Sequence, residues 1–149
     1  MNAIAAAAQH EDTVRPEWID NNDHMNLAYY VLVFSGATDA LAARLALPGR
    51  LRVTQMHTVY EREVTLGDRL RVATHLLAAD ASRLHLFHEM FQAEQGYRAA
   101  TLEIVVEHQG DFPPEARTRI AGLLARDWPQ GAGRRIAMPP PRAPTGEPA

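Results

Sequence analysis

Between Trp18 and Asn26 the chain reads Trp-Ile-Asp-Asn-Asn-Asp-His-Met-Asn, and an apolar run begins immediately after it. Asp20, Asn22 and His24 stand at alternate positions, with Asn26 two residues further on. A carboxylate in such a set can activate water or attack a carbonyl directly, and an imidazole can move protons. The helix that should follow offers free N–H donors and the positive end of its dipole at this point. A carbonyl held there would have its developing oxyanion stabilised by about 3–4 kcal/mol per donor. The same cluster has a plainer use, because Asp23 or Asn22 can cap first-turn N–H groups.

Composition removes several other chemistries. The chain has 149 residues, enough for one domain with one core, with 46% apolar and 22% charged residues. It has no Cys, which excludes disulfides, thiolate nucleophiles and Cys-ligated zinc. It has no Lys, which excludes a Schiff-base lysine and a P-loop. Ser35 and Ser82 are the only serines, and neither lies in a Gly-x-Ser-x-Gly elbow. The net charge of −3 gives no general attraction to nucleic acid or to an anionic membrane. No export signal precedes residue 10, and the longest apolar stretch is broken by Asp39, Arg44 and Pro48, so the cytoplasm is the expected location.

The elements that must position the cluster follow from periodicity. Residues 1–9 read as a flexible leader, residues 10–128 as the folded domain and residues 129–149, with six prolines, as a mobile tail. Residues 10–18 contain a short extended piece. From Asn26 to Leu47, apolar residues recur at helical spacing and on nearly all sides, which predicts a long buried helix stopped by Pro48-Gly49. Segments 53–65, 70–76, 84–91 and 100–107 alternate with period two, separated by short turns. They predict antiparallel strands. A second helix is expected over 114–127. The fold class is therefore α+β, with a sheet wrapped around one long helix. A single sheet cannot cover every side of that helix, so a homodimer is expected, with a homotetramer as the larger alternative.

Other polar residues have structural uses to weigh against functional ones. Asp39, mid-helix, is read first as a carboxylate paired with an Arg or a backbone donor. Glu63 is expected to pair across the sheet or to line the site. His85 and His88 are three apart on a strand, hence on opposite faces, so no metal site is expected. No cofactor is implied.

The run from Pro16 to Asn26 with Tyr29-Tyr30 resembles the signature of the hot-dog thioesterases of the 4-hydroxybenzoyl-CoA thioesterase-like superfamily. That signature commonly reads Trp-x-Asp-x-Asn-Gly-His-Met-Asn followed by Tyr. The resemblance continues through Glu63-x-x-x-Gly67-Asp68-x-Leu70, Arg83 to His88, and Ala100-Thr101-x-Glu103. It implies a hot-dog fold and hydrolysis of a small acyl-CoA, with coenzyme A entering as part of the substrate. Asp20 aligns with the family's catalytic carboxylate, and Asn22, His24 and Asn26 complete the candidate catalytic set. Asp23 stands where the family usually has Gly. Residues 30–41 and 83–90 are similar to thioesterases of carnitine metabolism, which implies betainyl-CoA as substrate. Tyr29, Tyr30, Phe34 and Tyr60 are then candidate aromatic partners of its trimethylammonium group, with Glu63 or Asp39 supplying charge. Arg50, Arg52, Arg62 and Arg83 are candidates for the CoA phosphates. A hot-dog hydratase or dehydratase, and a catalytically silent acyl-CoA binding module, are the competing readings.

Overall fold

The computed structural model describes residues 5–134, 136 and 140–145. Its elements run β1 (Ala8–Thr13), a short 3-10 turn (Pro16–Trp18), α1 (Leu27–Arg44), β2 (Leu51–Tyr60), β3 (Arg69–Ala79), β4 (Arg83–Gln92), β5 (Arg98–His108) and α2 (Pro114–Leu123). The five strands form one antiparallel sheet in the order β1-β3-β4-β5-β2. Helix α1 lies against one face, as the α+β reading expects.

Alternation fixes which side chains meet the helix. Leu70, Val72 and Leu76 of β3 share the core with Leu86 and Met90 of β4 and Leu102 of β5. They close on Tyr30, Val33, Phe34, Ala37 and Leu41 of α1, all essentially buried. His88 stands in this core, with Thr38 Oγ1 2.9 Å from Nε2 and Thr74 Oγ1 2.7 Å from Nδ1. Burial, helped by His75 and His10, pushes its pKa down to about 3, so it is neutral. Gly36 lets β1 approach α1, because a Cβ there would come within 2.7 Å of His10 Nε2. Helix α1 ends three residues before the expected Leu47, and Ala46 turns the chain with φ 51°.

The helix is covered on one side only. Leu27 and Leu32 are 57% and 54% exposed, and β2 is open along most of its length. Asp39 is also exposed, contrary to its expected place in a buried helix. It makes no ion pair among the described residues and lines a cavity of about 400 Å³ between α1 and β2, together with Val31 and Ser35.

The described residues of the Pro-rich end lie on the outer face of the sheet. Ala132 joins Leu77 and Phe87 in a small apolar cluster. Gly133 and Ile136 N–H groups donate to the Glu103 carboxylate, each at 2.9 Å. Arg142 pairs with Glu107, its N–H donates to Asp80, and Pro140 C=O accepts from Arg83. At the other end of the chain, Ala7 N–H donates to Thr74 C=O and β1 starts at Ala8, two residues before residue 10.

Candidate active site

The loop between the 3-10 turn and α1 is a closed structure. Ile19 and Met25 form an isolated antiparallel bridge, Asp20 N–H donates to His24 C=O, and Asn26 N–H donates to Trp18 C=O. Met25 N–H donates to Val64 C=O, which ties the loop to the β2–β3 connection. The turn at the loop's tip requires a left-handed residue, and Asp23 takes it with φ 62°. Asp tolerates this conformation better than most residues, which is how it can stand where the hot-dog signature that the loop resembles usually has Gly. The helix cap is neither Asp23 nor Asn22. Asn26 holds that place, its Oδ1 accepting Ala28 N–H at 3.0 Å.

This loop and the start of α1 bound a cleft of about 510 Å³ whose lining includes Asp20, Asn22, His24, Tyr30, Tyr60 and Glu63. Asp20 Oδ1 accepts Asn22 N–H at 2.8 Å, an Asx turn that orients the carboxylate. Its Oδ2 accepts no hydrogen bond among the described residues. His24 Nε2 lies 3.1 Å from Glu63 Oε2. Glu63 thus lines the site and pairs there, across from the loop rather than across the sheet. Tyr30 and Tyr60 meet edge to face at 5.2 Å. Tyr60 OH donates to Leu27 C=O and Tyr30 OH accepts from Val64 N–H, each at 3.3 Å. Burial raises the pKa of both phenols, so they stay protonated.

Other candidates are placed elsewhere. Asn26 is occupied as the helix cap. Tyr29 stacks on Trp18 at 5.5 Å, beside the cleft rather than lining it. Phe34 is fully buried and stacks on His88, so it is a core residue. Asp39 lies in the separate cavity between α1 and β2. Of the arginines, Arg62 reaches the cleft, lying over the Tyr97 ring at 4.0 Å. Arg50 and Arg52 are at the far end of β2, and Arg52 pairs with Glu107. Arg83 is buried and bound to Asp80 at 2.5 Å, so it is not free for a phosphate. His88 and His85 face opposite sides of the sheet, His88 towards Thr38 and His85 towards Glu103 at 3.0 Å.

Sequence reading missed Glu61, which also lines the cleft. Arg98 grips it bidentately, at 2.7 and 2.9 Å. Both charges were visible in the sequence, but their pairing joins residues 37 apart and depends on the β2–β5 register.

Comparison with known proteins shows the family of the chain. Residues 14–110 match the thioesterase-like superfamily. A betainyl-CoA thioesterase of Pseudomonas aeruginosa is 35% identical over 89% of this chain and 96% of its own length. An L-carnitine dehydrogenase/betainyl-CoA thioesterase of Ruegeria pomeroyi is 29% identical over 83% of this chain, which spans only 28% of that longer protein. Among solved structures, a Staphylococcus aureus protein in complex with CoA has 30% identity and a TM-score of 0.72, covering 93% of this chain and 100% of its own. A Pseudomonas putida protein has 31% identity and a TM-score of 0.80 over the same shares.

Proposed function

The chain belongs to the thioesterase-like superfamily and is a thioester hydrolase with the hot-dog fold, and we propose that it cleaves betainyl-CoA to betaine and CoA. The observation that carries this reading is the Asp20 carboxylate, oriented by Asn22 N–H with its second oxygen open to a cleft beside the start of α1. In this reading Asp20 activates water or attacks the thioester carbon. The carbonyl oxygen lies at the helix N-terminus, where the dipole favours developing negative charge. His24, held by Glu63, is placed to move the proton that the leaving thiolate needs.

The acyl group is inferred from charge and ring faces. Asp20, Glu61 and Glu63 bring three carboxylates to one cleft, against two guanidiniums, that of Arg62 and that of Arg98, which pairs with Glu61. A trimethylammonium group cannot donate ordinary hydrogen bonds, so it is recognised by ring faces and by negative potential. Tyr30 and Tyr60 supply the rings. The 35% identical Pseudomonas aeruginosa betainyl-CoA thioesterase supports the same substrate, and the L-carnitine dehydrogenase/betainyl-CoA thioesterase of Ruegeria pomeroyi supports a place in carnitine metabolism.

A homodimer formed through β2 fits this site. Val53, Met56 and Tyr60 leave that edge strand exposed beside Leu27 and Leu32. Antiparallel pairing of β2 with its copy sets the Tyr60 end of one strand against the Leu51 end of the other. The cavity holding Asp39 and Ser35 in one protomer then adjoins the Asp20 cleft of its partner. Asp39 would thereby gain the charge role proposed for it, but across the interface.

Free-thiol release from betainyl-CoA and from 3,3-dimethylbutyryl-CoA, its neutral isostere, tests the assignment. A desolvated cation–π contact of about 2 kcal/mol predicts roughly thirtyfold selectivity in kcat/KM for the cation. Equal values, or a preference for the neutral ester, would reject betainyl-CoA and leave thioester hydrolysis standing.

A further inference from the structure

We propose that the described residues between Pro129 and Arg142 form a strap on the outer face of the sheet that positions the wall of the active-site cleft through Arg98. The proposal rests on the reading of the Asp20 cleft as the active site.

The seat of the strap is built into the fold. Glu103 on β5 is 1% exposed, and its carboxylate accepts Gly133 and Ile136 N–H groups from the strap. His85 Nε2 is the third partner, at 3.0 Å. A buried carboxylate needs such partners, so the strap completes the sheet as much as the sheet holds the strap. The strap's turn is specified by its own residues. Gly131 and Gly133 have φ of 94° and 75°, and a Cβ on Gly133 would fall 2.3 Å from the Trp128 ring.

Arg98 connects this seat to the cleft. One terminal nitrogen donates to Gln130 C=O of the strap at 2.8 Å and to Glu89 Oε2 at 3.0 Å. Glu89 is itself fixed by His75 at 3.0 Å. The remaining arm of the guanidinium grips Glu61, which lines the cleft two residues before Glu63. Glu61 and Arg62 N–H groups both donate to Ala99 C=O, so the wall leaves the sheet beside Arg98 itself. A planar fork with three fixed partners has one orientation, and the strap carbonyl is one of the three. Loss of the strap contact frees the fork to shift, and Glu61, Glu63 and the His24 that Glu63 holds move with it.

Arg98 is a positioning residue in this scheme, and its test is kinetic. In the full chain, Arg98→Gln and Gly133→Val should each lower kcat by roughly tenfold, the scale of a sub-ångström misplacement, with KM little changed. Because both break one path, the double variant should be no worse than Arg98→Gln alone. Arg98→Lys, which keeps the charge but not the fork, should recover only part of the loss. Gly131→Ala strains the strap more gently, through its φ of 94° alone, since its Cβ would make only ordinary contact with Phe87 at 3.8 Å, and it replaces Gly133→Val if that variant does not fold. Full activity in a folded strap variant, or losses that multiply in the double variant, overturns the proposal. Asp20→Asn, run alongside, separates the two readings. If it is inactive while the strap variants are wild-type, only the strap proposal fails. If it is active, the cleft itself is misassigned.

Discussion

Replacing Asp20 by Asn isolates chemistry from structure at this site. The carboxylate does two things: Oδ1 accepts Asn22 N–H at 2.8 Å, and Oδ2 opens into the cleft. An Asn side chain keeps the oxygen acceptor for the Asx turn and has nearly the same shape. The turn loses only the charged part of one exposed hydrogen bond, about 1 kcal/mol or less. For a chain of this size that is about 2–4 °C in Tm. The amide, however, can neither take a proton from water nor attack the thioester, so hydrolysis should fall by about 100-fold or more. A hundredfold loss corresponds to about 2.7 kcal/mol in the barrier. Asp20→Ala should match it in rate but lose the turn as well. The assay is thiol release under saturating acyl-CoA, with the thermal transition recorded on the same preparations. A folded Asp20→Asn protein with near-wild-type turnover would refute the carboxylate's role in catalysis.

The remaining predictions concern the scaffold. Glu103→Ala leaves His85 and two strap N–H groups without their buried acceptor and should cost about 3–5 kcal/mol in urea unfolding, whereas a loss near zero would mean that the strap is not seated. His88 is neutral when folded, with a pKa near 3 against 6.5 when exposed, so the unfolded chain binds the extra proton. Its effect is absent above pH 6.5 and destabilises progressively as pH falls towards 3; the stability difference between wild type and His88→Asn should therefore shrink between pH 7 and 5, and a pH-independent difference would contradict the buried neutral imidazole. Sedimentation at micromolar concentration should give at least twice the 16.5 kDa chain mass, and a folded monomer would rule out pairing through β2.

Sequence reading succeeded where side-chain periodicity carries the information. The apolar run after Asn26 marked α1, and alternation marked β3, β4 and β5 to within a few residues. It failed where the backbone decides. Asp23 reads as a good cap, yet the loop needs a left-handed residue at that place, and the cap falls to Asn26. Asp39 lies in an apolar helix, but a one-sided sheet leaves its face open. Phe34 stands near the motif in sequence and one turn deeper in space, which puts it in the core beside His88.

Glu103 shows most clearly why the strap could not be read from the sequence. Alternation correctly sets it on the face opposite Leu102 and Ile104, and an outward Glu ordinarily meets water. What covers it is a segment with no apolar period, rich in Pro and Gly, which composition alone assigns to disorder. The segment docks through backbone N–H groups, through carbonyls at Gln130 and Pro140, and through glycine turns. Main-chain donors are the same at every residue except Pro, so no pattern of side chains announces them. The buried carboxylate supplies the missing specificity from the other side. A charge at 1% exposure is tolerable only with its full set of donors, and here two of the three come from the strap. The sheet thus selects the path of a segment that has little preference of its own, and the same path brings Gln130 C=O to Arg98 at the back of the cleft wall.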